Sequence, residues 1–261
     1  MMVMVGLSGV GVVASLFVTP ARPAEPGRRI PINPYAGIWR YLRIFWEDAR
    51  LFQTLVGIAY FWAAGALVIQ NVIELGKANV LDERLQGILL AVLALGIGLG
   101  SLAAGYLSRG KIELGLAPIG FLGMAVFCVL MAMPGWRYAS IALLLFGLGA
   151  SAGVYDVPLA AMLQQRSPDK IKGGMIATLN LATFGGMMVA AALFWLLFNK
   201  LALSPSGIFL ATAAITLAVG AYLVWLGPVV LLRSVLWFAD GTLCKVRVKG
   251  RASVPEKGGA L

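Results

Sequence analysis

Tyr155-Asp156-Val157-Pro158-Leu159 interrupts an otherwise apolar run, Ala139–Leu163, that is long enough to cross a bilayer. A carboxylic acid and a proline stand two residues apart where lipid-facing side chains are expected. Charge at membrane depth is costly, so such an acid faces a bundle interior or a watery cavity. Pro158 lacks an N–H and frees a carbonyl one turn back, which also needs protein or water beside it. A helix carrying both lines something, and a helix of a transporter is the economical reading.

The rest of the chain suits that setting. Hydrophobic residues make up 60% of it and charged residues 12%, against about 45–50% apolar in soluble domains. Mean hydropathy is +0.89. Several runs of roughly 20 residues nearly free of charge imply an all-α, polytopic membrane helix bundle. The net charge of +10 resides in the connections between runs, which fits membrane topology and not nucleic-acid binding. Histidine is absent. That excludes Ser-His and Cys-His catalysis and any histidine metal site within the chain. Cys128 and Cys244 lie in different settings, so no disulfide framework is expected. No cofactor is implied.

Seven spans are expected. The first, Met2–Thr19, is short and Gly-rich; a signal peptide is the competing reading, but the basic n-region is missing. Residues 20–50 form a basic linker, extended by prolines in its first half. Its second half reads as an amphipathic helix, with Ile38, Trp39, Leu42, Phe45, Trp46 and Ala49 on one face. That helix either lies on the membrane surface or packs on the bundle. Six spans follow: Leu51–Leu75, Gly87–Leu107, Leu116–Met133, Ala139–Leu163, Met175–Phe198 and Ser206–Leu226. Short loops make neighbours antiparallel.

Basic residues set the orientation. The linker, the connections at Arg109–Lys111 and Arg166–Lys172, and the tail hold all of the 21 Lys and Arg except Lys77, Arg84, Arg137 and Lys200. Those connections and the C-terminus are therefore expected on the cytoplasmic side. The first span then starts outside with no soluble domain before it, as a fragment of a longer protein would.

Polar residues inside the spans are candidate cavity lining. At 100° per residue, Tyr60, Ala64 and Asn71 fall within about 20° of Gln53, and Glu74 about 60° away. Gly96 and Gly100, like Gly149 and Gly153, are four apart, a spacing that lets helix backbones approach closely. Asp156 has Thr178, Asn180 and Thr183 on the following span. An Asp156–Asn180 site is one reading; a structural hydrogen bond between those two spans is the other.

The segment Gly100-Ser-Leu-Ala-Ala-Gly105-Tyr-Leu-Ser-Arg109-Gly110-Lys111 resembles the Gly-rich basic loop between the second and third helices of each half of major facilitator superfamily transporters. The acidic residue usual in that motif is missing, with Ala104 and Gly105 in its place. The stretches Gly153–Leu159, Leu163-Gln-Gln-Arg166-Ser-Pro168 and Ala177–Asn180 are similar to the lysophospholipid transporter branch of that superfamily. The resemblance runs from the first span to the last. It implies that residues 1–19 are the last helix of an N-terminal half, 20–50 the loop between halves, and 51–226 the whole C-terminal half. Some members of the branch are fused to a glycerophospholipid acyltransferase, and residues 227–261 look like the approach to such a domain. Its catalytic His-and-Asp motif is not in this chain, so no enzyme activity is expected here.

The expected function is transport of lysophospholipid across the cytoplasmic membrane by alternating access, with membrane lipid as surroundings. The partner would be the missing N-terminal half or a second copy. Asp156, Tyr60, Asn71 and Asn180 are the expected substrate-cavity residues. Gly100, Gly105, Arg109, Gly110 and Lys111 are the expected loop motif. A part of a bifunctional transporter–acyltransferase, a non-transporting membrane fragment, and a carrier of another small molecule are the alternatives.

Overall fold

The computed structural model describes residues 2–17, 37–108, 115–168 and 170–226. All regular structure among them is helical. The helices are α1 (Met2–Leu16), α2 (Ile38–Glu47), α3 (Ala49–Ala78), α4 (Glu83–Leu107), α5 (Leu116–Ala132), α6 (Tyr138–Arg166), α7 (Lys172–Trp195, continued by a wider turn over Leu196–Lys200) and α8 (Pro205–Leu226). The tail and the Arg109-Gly110-Lys111 part of the loop motif lie outside the described residues.

Five helices, α3, α4, α6, α7 and α8, are long and apolar enough to cross a membrane. The 17 residues of α5 rise about 26 Å, just under the hydrocarbon thickness of about 30 Å. The chain is a multi-pass membrane protein. The 15-residue α1 is shorter than the expected first span. Every one of its described side chains is exposed, so it is not part of the packed bundle.

Capping starts the long helices where the apolar runs begin. The Asp48 carboxylate accepts from the N–H groups of Arg50 and Leu51 at 2.9 and 3.3 Å. Asp82 accepts from the Leu85 N–H at 2.7 Å. Each takes up a donor that the first turn cannot satisfy. Despite Pro158, α6 runs unbroken to Arg166.

Small residues decide which helices touch. A Cβ on Gly96 or Gly100 would strike the backbone at Phe146 or Ala150, and one on Gly149 or Gly153 would strike the Leu93 or Ile97 carbonyl. Partner numbers rise together along this seam, so α4 and α6 run parallel. Against α5 they run the other way: Gly120 meets Ser151 and Tyr155, and Gly147 meets Phe127. Gly57 of α3 meets Tyr155 and Leu159 of α6. The two spacings read as close-approach motifs therefore form one backbone-to-backbone interface.

The alternating directions put the starts of α3, α5 and α7 and the ends of α4, α6 and α8 at one end of the bundle. That end carries Arg50, Arg166, Lys170 and Lys172; Lys77, Arg84, Arg137 and Lys200 lie at the other. At the first end α2 lies across α3 and α7. Its Tyr41 and Phe45 are buried, and a side chain on Gly174 would strike the Tyr41 ring. The expected apolar face splits: Phe45 packs inward, while Trp39 and Trp46 are exposed. Exposed tryptophans on a helix packed at the bundle end suit the membrane–water interface.

Candidate functional site

The polar stripe expected on the first long span exists, and it faces α8. Gln53 Nε2 donates to the Leu223 carbonyl at 2.8 Å. The Tyr60 hydroxyl bonds Thr216 Oγ1. Asn71 Nδ2 donates to the Pro205 carbonyl at 2.9 Å. Seven residues from Gln53 to Tyr60 match seven from Leu223 to Thr216, and eleven from Tyr60 to Asn71 match eleven from Thr216 to Pro205. Steps of seven and eleven both return to nearly the same helix face. The stripe is thus a three-rung antiparallel seam. Tyr60 and Asn71 do not line an open space: Asn71 is fully buried, and Tyr60 packs its ring on Phe121 at 5.6 Å between centroids. Glu74, at the far end, pairs with Lys77 at 2.7 Å.

Asp156 is half-buried on α6 and makes no hydrogen bond or ion pair with a described residue; its Oδ1 is fully enclosed. Helical periodicity puts it on the Gly149–Gly153 side of α6, next to the α4 seam. The span after it does not reach it. Thr178 and Thr183 spend their hydroxyls on carbonyls of α7 itself, at Gly174 and Asn180. Asn180 is exposed. The hydrogen bond expected to tie Asp156 to α7 is not formed, because α3 packs against both helices and keeps them apart. Of the loop motif, Gly100 is locked in the α4–α6 seam and Gly105 faces open space.

Next to Asp156 in sequence, Tyr155 points the other way, into a cavity of about 300 Å³. The cavity lies at the basic end, between the start of α3 (Arg50, Gln53, Thr54), the start of α5 (Ala117, Phe121, Leu122), the end of α6 (Tyr155, Leu159, Met162) and the end of α8 (Leu217, Ala221, Val224). Its walls are almost entirely apolar. Each of the few polar side chains on it spends a donor on a backbone carbonyl: Gln53 on Leu223, the Thr54 hydroxyl on Arg50 at 2.8 Å, and the Tyr155 hydroxyl on Gly57 at 3.1 Å. Arg50 is the exception. Its guanidinium has no ion-pair partner among the described residues, since Asp48 pairs with Arg166 at 2.5 Å instead. Burial works against the charge on Asp48, but the N–H groups of Arg50 and Leu51 and the Arg166 guanidinium outweigh it and hold the carboxyl below the usual range.

Together these features describe an apolar shaft with a cation at its mouth that has no ion-pair partner among the described residues, and, on the other side of α6, a carboxylate that likewise has none among them. The chain is similar in sequence to proteins named as transporters.

It is 30% identical over 178 residues to the lysophospholipid transporter LplT of Pectobacterium carotovorum, an alignment covering 67% of this chain and 42% of that protein. With the transporters of the same name from Klebsiella pneumoniae (strain ATCC 700721) and Escherichia coli O157:H7 it shares 29% and 28% identity, over 83% of this chain and 55% of each relative. The chain thus spans about half the length of the curated relatives it matches. No family model matches it, and neither does any solved structure.

The cavity itself is not legible in the sequence. Of its lining, Gln53 belongs to the polar stripe and Tyr155 and Leu159 flank Asp156, while Arg50 reads as a linker charge and Leu217 and Ala221 as ordinary span residues. Their convergence depends on helices more than 150 residues apart in the chain, which no local pattern records.

Proposed function

We propose that this chain supplies the C-terminal half of a major-facilitator-type carrier that moves lysophospholipid across the cytoplasmic membrane. Its counterpart is an N-terminal half or a second copy, and the two rock about a midplane site in alternating access. The similarity to transporters named for lysophospholipid, over 67–83% of the chain, carries this reading. The segregation of basic residues to one end supports a cytoplasmic placement of that end. Asp156 is the residue of this half that acts in the passage, and Asn180, exposed on α7, is available to it. Two side-chain oxygens are enclosed without a partner among the described residues, Asn71 Oδ1 and Asp156 Oδ1; the carboxylate is the costlier of the two in a membrane, which supports a working role for Asp156. Tyr60 and Asn71 serve by holding α3 to α8.

The test is flip of labelled lysophosphatidylethanolamine in proteoliposomes that contain the chain with its counterpart half. Wild type should exceed empty liposomes, and Asp156→Asn should lower the rate several-fold at equal reconstituted amounts. A wild-type rate equal to that of empty liposomes would remove the carrier reading. An unchanged rate with Asp156→Asn would return that residue to a structural role.

A further inference from the structure

We infer that the cavity between α3, α5, α6 and α8 is a lipid-binding site within this half that holds one acyl chain, with the lipid phosphate on Arg50. The inference rests on the lysophospholipid reading for its ligand class but concerns a site separate from the passage at Asp156.

A polar ligand finds few groups inside, because Gln53, Thr54 and Tyr155 each spend a donor on a backbone carbonyl and the rest of the wall is apolar. Water is poorly held for the same reason: a buried water needs two to four polar partners. An empty space of about 300 Å³ leaves its lining without dispersion contacts, so beside a membrane it fills with hydrocarbon. The way in is lateral. Leu122 of α5 and Leu217 of α8 both line the cavity and are exposed, so its rim faces lipid on that side.

The head-group end is set by charge. Among the described residues Arg50 is the one charged residue on the lining, and it lies at the basic end, where α2 leaves Trp39 and Trp46 exposed at interface level. The Trp46 and Phe52 rings stand 4.9 Å apart beside it. An arginine fork matches a phosphate through paired N–H donors. A chain inside the shaft therefore carries its phosphate to the guanidinium. The volume is at the small end of ligand pockets, about 300–1,000 Å³, and accepts one chain, which favours a single-chain phospholipid over a two-chain one.

The probe is lysophosphatidylglycerol with a diazirine at mid-chain, photolysed with the full chain in nanodiscs, and the cross-links are mapped by mass spectrometry. Labels are expected on Phe121, Leu159, Leu217 and Ala221 above the exposed, lipid-facing Leu95 and Leu99. Unlabelled lysophosphatidylglycerol should compete at least tenfold better than the two-chain phosphatidylglycerol. Ala221→Trp, which fills the shaft, should abolish the cavity labels; Leu217→Phe is the milder second variant if the first does not fold. Arg50→Gln should weaken competition and Arg50→Lys restore part of it. Cavity labelling no higher than at the lipid-facing residues, or unaffected in both filling variants, would overturn the site. Equal competition by two-chain lipid would overturn its ligand class. Lysophospholipid flip measured on the same preparations separates this from the carrier reading: flip without cavity labelling sinks only the cavity site, and labelling without flip sinks only the carrier.

Discussion

Gly100→Ala should destabilise the bundle, whereas Gly98→Ala, two residues away on the same helix, should not. Both substitutions raise helix propensity, an effect of about 0.5–1 kcal/mol in favour of alanine. They differ in what the new methyl meets. At Gly98 there is open space within 4 Å; at Gly100 the Cβ lands on the Ala150 carbonyl and Cα of α6. Backbone atoms cannot rotate away, so α4 and α6 must separate, and the contacts at Gly96, Gly149 and Gly153 loosen with them. Overpacking of this kind costs about 1–3 kcal/mol, which exceeds the propensity gain. The net expectation is a loss of about 1–2 kcal/mol for Gly100→Ala against a small gain for Gly98→Ala. A contrast of about 2 kcal/mol is about 30-fold in the unfolding constant. The assay can use Cys128, a buried free thiol on α5. With Cys244 replaced by serine, a thiol-reactive fluorophore reports unfolding through Cys128 alone during a detergent or heat titration. Adding Ala150→Gly should not rescue Gly100→Ala, because the obstruction is backbone and not the Ala150 methyl. Equal midpoints for the two glycine variants, or full rescue by Ala150→Gly, would refute the claim that α4 and α6 meet backbone to backbone.

Two further expectations follow from the seam and the basic end. Asn71→Ala should lower stability by about 0.5–1.5 kcal/mol, since it deletes the bond to the Pro205 carbonyl that ties α3 to the start of α8; the same thiol titration checks it, and no measurable change would discount the α3–α8 rungs. Asp48 titrates below its unfolded value of about 3.9. A lowered folded-state pKa means its contribution is present above that unfolded value and is lost as pH falls through the folded value, so acid stability should decline below about pH 4. Asp48→Asn should blunt that decline, and the effect should stay near the 0.2–1 kcal/mol of exposed pairs, as both partners are about one-third exposed; midpoints read across pH 3–6 test it.

Local patterns told a great deal about this chain. A run without charge is visible residue by residue, so the positions of α3 to α8 are legible, and α3, α4, α6 and α7 merely run a few residues further than expected. The polar stripe was equally legible, because a helical face needs only the 100° step between neighbours. What the stripe touches was not. Gln53, Tyr60 and Asn71 look the same whether they face water, substrate or another helix, and only the matched spacing with Leu223, Thr216 and Pro205 distinguishes these cases. The amphipathic face of α2 was visible too, but whether Phe45 or Trp46 would be covered depended on where α7 presents Gly174.

Sequence alone therefore determined that the chain crosses the membrane repeatedly, which loops carry its positive charge, and that Asp156 is out of place in lipid. Hydropathy and charge act on each segment separately, through its transfer from water to hydrocarbon. Tertiary structure decided that α4 and α6 touch along their glycines, that Asp156 has no partner among the described residues, and that four helix ends enclose an apolar shaft under Arg50. Those outcomes depend on the register between helices far apart in the chain, which is set by where small residues let backbones meet.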